Sequence, residues 1–188
     1  MVKGSGNKLL ITCLIFFVFK EGINRFVGKK SGSGDKLKIG ITKLTMLMER
    51  QLNYLLNARL NEKFPPFLNK GTLGLNFGLQ GMQFAATSTT AENQSLSFPN
   101  YVHSISCNND NQDIVSMGTN SALMTAKVIE NSFQVLSIEL ISIVQAIDIM
   151  ECQDKIGSES LKIFNDISKP SLPPIFIYVN YRTQWKNN

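Results

Sequence analysis

Apolar residues recur at spacings of three and four along two stretches of the chain. Leu37, Ile41, Leu44, Met48, Leu52 and Leu55 share one face of a helix that the pattern carries from Asp35 to about residue 63, with Lys36, Lys43, Arg50 and Asn57 on the opposite face. Asp35 is a residue type suited to the N-cap. Phe64, Pro65, Pro66 and Phe67 stop the helix, because proline lacks the backbone donor and restricts the residue before it. The second stretch is longer. Ile129, Phe133, Leu136, Leu140, Val144 and Ile147 repeat at four and three within a predicted helix over residues 116–148, and Val128, Val135, Ile138 and Ile141 lie on neighbouring faces. A helix apolar on most sides belongs inside a large protein or at a subunit interface.

Between these two, residues 74–95 are dominated by Gly78, Gly81, Ala85, Ala86 and the run 87–91, so an interior helix that neighbours approach closely is predicted there. The β-branched threonines oppose helix formation mildly. Residues 99–113 have neither helical nor strand period and read as a loop. At the front, residues 29–34 (KKSGSG) read as a linker and mark a boundary after an apolar run at 9–19. That run follows Lys3 and Lys8 as a signal peptide would, but it ends in Lys20 and Glu21 without a small-residue cleavage site and is too short to span a bilayer. Beyond Lys155 come a short amphipathic stretch, Pro170, Pro173 and Pro174, and a strand-like IFIYVNY at 175–181.

The composition, 43% hydrophobic over 188 residues, suits one buried core. The net charge of +5 does not extend this to nucleic acid, since seven of the 19 basic residues fall in the first 36 positions and the remainder is near neutral. Cys13, Cys107 and Cys152 are odd in number and widely spaced, which argues against a disulfide framework or a metal site and for a reducing compartment.

Among candidate chemical groups, His103 is the sole histidine and has no nucleophile signature around it, so it reads as a loop residue. Glu92, Glu139 and Asp148 fall on helices, where an ion pair or hydrogen bond is the common explanation. GTLGLNFG at 71–78 lacks the Lys and hydroxyl residue of a phosphate cradle. The unusual segment is NNDNQDIVSMGT, residues 108–119, with six consecutive amide or carboxylate side chains ahead of the long helix. Composition favours a capping loop there and leaves a binding loop open.

NQDIVSMGT at 111–119 resembles a signature loop of the ammonia-lyases and aminomutases that use a methylidene-imidazolone electrophile. LTMLMERQLNYLL (44–56), Pro65 to Phe67 with the GLNFG that follows, FAATSTTAENQ (84–94) and VIENSFQVLSIELISIVQAID (128–148) are similar to consecutive helices of that family, in one register over residues 35–156. The resemblance implies an all-α fold, built from the long near-parallel helices of the ammonia-lyase central bundle, packed into a homotetramer in the cytoplasm. It implies a carbon-nitrogen lyase that eliminates ammonia from an amino-acid substrate to give an unsaturated acid, at sites assembled from several subunits. Gln112 matches the residue near the electrophile and substrate, and Asn108 and Asn111 match neighbouring amides of that pocket wall. Histidases often carry a carboxylate at the position of Gln112, so the amide suits an aryl substrate, tyrosine or phenylalanine.

Other family parts are missing. The electrophile forms from Ala-Ser-Gly, which does not occur in these residues, nor do the tyrosine loop, the carboxylate-gripping arginine or Gly-Asn-Phe-His. The expectation is therefore a C-terminal fragment of a tyrosine, phenylalanine or histidine ammonia-lyase, without catalytic residues, cofactor or metal of its own and inactive in isolation. Residues 1–34 would be a non-family segment, 35–156 the helical core and 157–188 a divergent tail. The alternative is a non-catalytic helical module that associates with itself or with an intact lyase. Neither reading calls for a membrane or nucleic acid.

Overall fold

The computed structural model describes residues 31–72, 74–115 and 117–168. The apolar run at 9–19, Cys13 and the strand-like segment at 175–181 lie outside the described residues. Among the described residues five α-helices follow in order: α1 (Ser31–Leu56), α2 (Ala58–Asn61), α3 (Gln80–Leu96), α4 (Gly118–Met150) and α5 (Ser158–Ile167), with single 3-10 turns at Pro66–Leu68, Asn100–Val102 and Gln153–Lys155. No strand occurs among the described residues, where the one β-type contact is an isolated bridge between Cys107 and Gln112. The chain divides into two compact units, which within the described residues are 31–49 with 86–136, and 50–85 with 137–168.

In the first unit the core holds Ile41 and Val128, with Leu37, Leu44, Leu96 and Ile129 packed on them. Small polar residues sit beside this apolar cluster. Asn93, fully buried, donates through its amide to Ser132 Oγ at 3.1 Å, the Val128 carbonyl at 3.3 Å and Thr45 Oγ1 at 3.4 Å. Thr45 and Ser132 are themselves 2.7 Å apart. These contacts offset part of the cost of burying polar groups, while Asn93 Oδ1 itself has no hydrogen-bond partner. Of the small residues predicted to line an interior helix, Ala86 and Thr90 are buried, together with Asn93, whereas Gly81, Ala85, Thr87, Ser88 and Ala91 are exposed, so α3 buries one face only. Thr90 adapts to the helix by donating to the Ala86 carbonyl at 2.8 Å.

In the second unit Val144, Ile147 and Phe164 form the core, covered by Ile143, Cys152, Ile156, Leu161 and Ile167. Each such side chain contributes roughly 1.5–3 kcal/mol by leaving water. The end of α1 lies at Leu56, earlier than the prolines suggested, because Asn61 captures it. Its Nδ2 donates to the carbonyls of Tyr54 (2.9 Å), Leu55 (3.1 Å) and Asn57 (2.8 Å), and its Oδ1 accepts from the amides of Lys63 and Phe64, both at 2.9 Å. One buried side chain thus supplies partners that a helix terminus otherwise lacks. At Gly78, with φ of +55°, a Cβ would sit 2.6 Å from the Phe67 carbonyl oxygen, so the turn before α3 requires glycine. This turn occupies positions where the small-residue helix was predicted to begin, and α3 starts only at Gln80.

Two further expectations change. Ser31 to Gly34, read as linker, belong to α1. On α4 Leu136, Val144 and Ile147 of the predicted stripe are buried, and Ser121, Thr125, Val128, Ser132, Val135, Glu139, Ser142 and Ala146 are buried beside them at spacings of four and three, whereas Phe133 is 42% exposed. Small hydroxyl residues let helices pack closely, and the buried part of α4 combines them with aliphatic side chains.

Candidate functional site

The segment carrying Asn108, Asn111 and Gln112 folds into a hairpin in the first unit. Asn108, Asn109 and Asp110 all have left-handed backbones, with φ of 56°, 51° and 61°. Asn and Asp tolerate that region better than other side chains, which accounts for the run of amides and carboxylates. Cys107 and Gln112 exchange backbone hydrogen bonds at 3.2 and 3.3 Å, and the Asn111 amide donates to the Asn108 carbonyl at 3.2 Å. Ser106 Oγ donates to Asp110 Oδ1 at 2.7 Å, and the Cys107 thiol donates to Gln112 Oε1 at 3.4 Å. Lower down, Ser104 Oγ donates to the Asp113 carbonyl and accepts from the Val115 amide, both at 2.9 Å, tying the two limbs together. The structure therefore brings the three predicted pocket residues into one turn, and all three are exposed. Their amides are neutral groups able to donate and accept, suited to line a pocket wall but with no acid, base or nucleophile among them.

At the feet of the hairpin lies Asp35, which sequence reasoning took for the N-cap of its own helix. It is instead inside α1 and caps a different segment. Asp35 Oδ1 accepts from Lys38 Nζ (2.8 Å), Ser121 Oγ (2.8 Å) and the Asn100 amide (3.1 Å), and Oδ2 accepts from the Tyr101 amide at 3.2 Å. Both charged side chains are fully buried. Burial by itself would raise the Asp35 pKa, but the Lys38 ammonium, the Asn100 amide, the Ser121 hydroxyl and the Tyr101 amide hold it below the ordinary value of 3.8. Lys38 Nζ also donates to Met124 Sδ at 3.7 Å, and Asn100 Nδ2 reaches the same sulfur at 3.5 Å. Gly34 permits this approach, since a Cβ there would lie 2.9 Å from Ser121 Oγ. Charged residues in a helix's first turn read as ordinary caps, so the only signal for this role was the pairing of Asp35 with Lys38 one turn later.

The other candidate groups are accounted for locally. His103 stacks on Phe98 with ring centroids 5.2 Å apart. Glu92 accepts from Asn131 Nδ2 at 2.9 Å and Asp148 from Gln153 Nε2 at 3.1 Å, as structural hydrogen bonds. Glu139 differs: it is 1% exposed, neither carboxylate oxygen has a hydrogen-bond partner, and burial pushes its pKa up to about 8. Cys107 and Cys152 are free thiols, and no group of three or more potential metal ligands exists among the described residues. A cavity of about 490 Å³ in the second unit is lined by Asn53, Leu56, Asn57, Ala58, Arg59, Pro66, Phe67 and Gln83, none of them a hairpin residue.

The helical fold of the described residues is that of the ammonia-lyase and aminomutase helical bundles. Residues 27–169 match the family model for aromatic amino acid lyases, and the chain belongs to that family. It is 35% identical over 130 residues to a tyrosine ammonia-lyase of Cupriavidus metallidurans, an alignment covering 69% of this chain and 24% of the relative. It is 41% identical over 115 residues to the MIO-dependent tyrosine 2,3-aminomutase of Streptomyces globisporus, covering 61% of this chain and 21% of that one. The crystal structure of histidine ammonia-lyase from Trypanosoma cruzi superposes with a TM-score of 0.70 at 30% identity, over 80% of this chain and 30% of the other. The chain thus spans about a quarter of the length of the relatives it matches. MIO denotes the self-formed methylidene-imidazolone electrophile. Its Ala-Ser-Gly precursor is absent from these 188 residues, so the donor set here does not build the group.

Proposed function

We propose that this chain supplies one wall of the substrate pocket of an aromatic amino acid ammonia-lyase or aminomutase, with Gln112 facing the substrate and Asn108 and Asn111 beside it. The observation that supports this reading is the hairpin, which gathers those three amides in one exposed turn within the family-matched region. A neutral amide at Gln112 suits the aryl ring of tyrosine or phenylalanine, where a carboxylate would suit imidazole. In this reading the 188 residues are inactive by themselves, because the electrophile must come from polypeptide that contains Ala-Ser-Gly. They work in the cytoplasm as part of a homo-oligomer, a tetramer in the family. A carboxylate, an asparagine and four hydroxyls buried along α4 (Glu139, Asn131, Ser121, Thr125, Ser132 and Ser142) suit a protein interior better than lipid, although by length and composition α4 could cross a membrane.

The test is complementation. The purified chain is assayed with tyrosine, phenylalanine and histidine, alone and after co-expression with the electrophile-bearing part of a tyrosine ammonia-lyase. Coumarate or cinnamate should form only in the mixture, and Gln112→Ala should lower the rate by about tenfold or more. An unsaturated acid from the chain alone would overturn the claim of inactivity. An active mixture indifferent to Gln112→Ala would remove Gln112 from the pocket.

A second reading is favoured by Leu123 and Phe133, 68% and 42% exposed on α4: a helical module that associates with itself or with an intact lyase. Co-purification with a full-length lyase without any gain of activity would support it, and a soluble monomer by light scattering would exclude it.

A further inference from the structure

We propose that Asp35 is the positioning residue of the amide hairpin: its buried carboxylate gathers the backbone amides of Asn100 and Tyr101 before the hairpin and the Ser121 hydroxyl beyond it, and so fixes where Gln112 is presented. The inference rests on the preceding reading only in regarding the hairpin as a pocket wall.

Residues 103–114 are all exposed, so no core holds the hairpin. Its order depends on rungs between its limbs. The Cys107 and Gln112 backbones form the upper rung and Ser104 the middle one. Asp35 forms the lowest, and it is the one anchored in the core, through a side chain with no exposure. A short hairpin is marginal in water when left to itself, so rungs near the tip persist only while the feet are held together. Hydrogen bonds to an ionised carboxylate are stronger than neutral ones, and four converge here. Lys38 is the charged group that faces Asp35; its other partners, two backbone amides and a hydroxyl, do not titrate in the acid range. Lys38 and Asn100 also share the Met124 sulfur, which couples the cation to the same foot of the loop.

Amide hydrogen exchange on the full chain tests this. Removing Asp35 alone would strand Lys38, so the pair is changed together. In Asp35→Ala with Lys38→Met, protection at Asn100, Tyr101, Asn111, Gln112 and Val115 should fall about tenfold or more, while amides in the middle of α4 keep theirs. Asp35→Asn with Lys38→Met retains one acceptor oxygen and should restore protection at Asn100, and with it part of the hairpin protection, while Tyr101, left facing the new NH2, stays exchangeable. The unaltered chain gives an independent check: on acidification below about pH 4, hairpin protection should fall before that of α4. Hairpin amides that stay protected in the alanine variant, or that lose protection only in step with α4 in either experiment, would overturn the proposal. Exchange is read without substrate, so this outcome is separate from that of the complementation assay.

Discussion

Asp35 and Glu139 are both withdrawn from water, one in each compact unit, and they are treated in opposite ways. Asp35 meets an ammonium, two backbone amides and a hydroxyl. Glu139 meets no hydrogen-bond partner at either oxygen. Burial disfavours both charges, yet the first carboxyl lies below its ordinary pKa and the second is pushed up to about 8. Burial is therefore no guide to the charge of an interior carboxylate until its partners are counted. Asp35 holds structure together as an anion, whereas Glu139 sits in its surroundings most comfortably as the neutral acid.

The comparison breaks most sharply at Asp35. Asp35→Ala leaves Lys38 buried without its counter-ion and should cost about 3–5 kcal/mol in urea unfolding, a loss that the simultaneous Lys38→Met change should largely recover. The stabilisation by Asp35 is present above the unfolded value of 3.8 and is lost as the pH falls through the lower folded value.

Glu139 carries the opposite sign. Because its folded pKa is raised, the advantage of the neutral acid is complete below the ordinary value of 4.5 and disappears as the pH rises through about 8. Glu139→Leu should remove that decline and raise stability on the alkaline side by about 1–3 kcal/mol, read as a shift of the urea midpoint across the two pH limits. A variant less stable than the parent at alkaline pH would mean that Glu139 is partnered as an anion.

The smallest effect is expected at Gln112. Its side chain is exposed and accepts from the Cys107 thiol, so Gln112→Ala should change the unfolding free energy by no more than about 0.5 kcal/mol.

Periodicity made α1 and α4 legible because long helices repeat the same demand every turn, whereas α3 was marked by its small residues. It placed their edges less well. The start of α1 runs through Ser31 and Gly34, residues of poor helix propensity, since close packing at Gly34 against Ser121 outweighs local preference. The burial of Lys38 was invisible, as its spacing is that of a residue flanking the apolar face and its partners, Asp35 and Met124, meet it only in the folded chain. At the candidate site, the run of Asn and Asp announced an irregular backbone but gave no sign of three left-handed residues in succession. Gln112 was singled out by likeness to a family, and no local physical pattern would have distinguished it from Asn109 three residues earlier.

Thr90 and Ser142 sit in the interior, yet each donates its hydroxyl proton to a carbonyl one turn earlier on its own helix, Ala86 and Ile138 respectively. Such residues bring their acceptor with them and make no chemical demand on the helix opposite. Positions of this kind place no directional demand on whatever packs against them. Fidelity of alignment then resides in the contacts that do reach across, among them the amide of Asn93, Thr45 with Ser132, Glu92 with Asn131 and Asp35 with Ser121, which act as register pins.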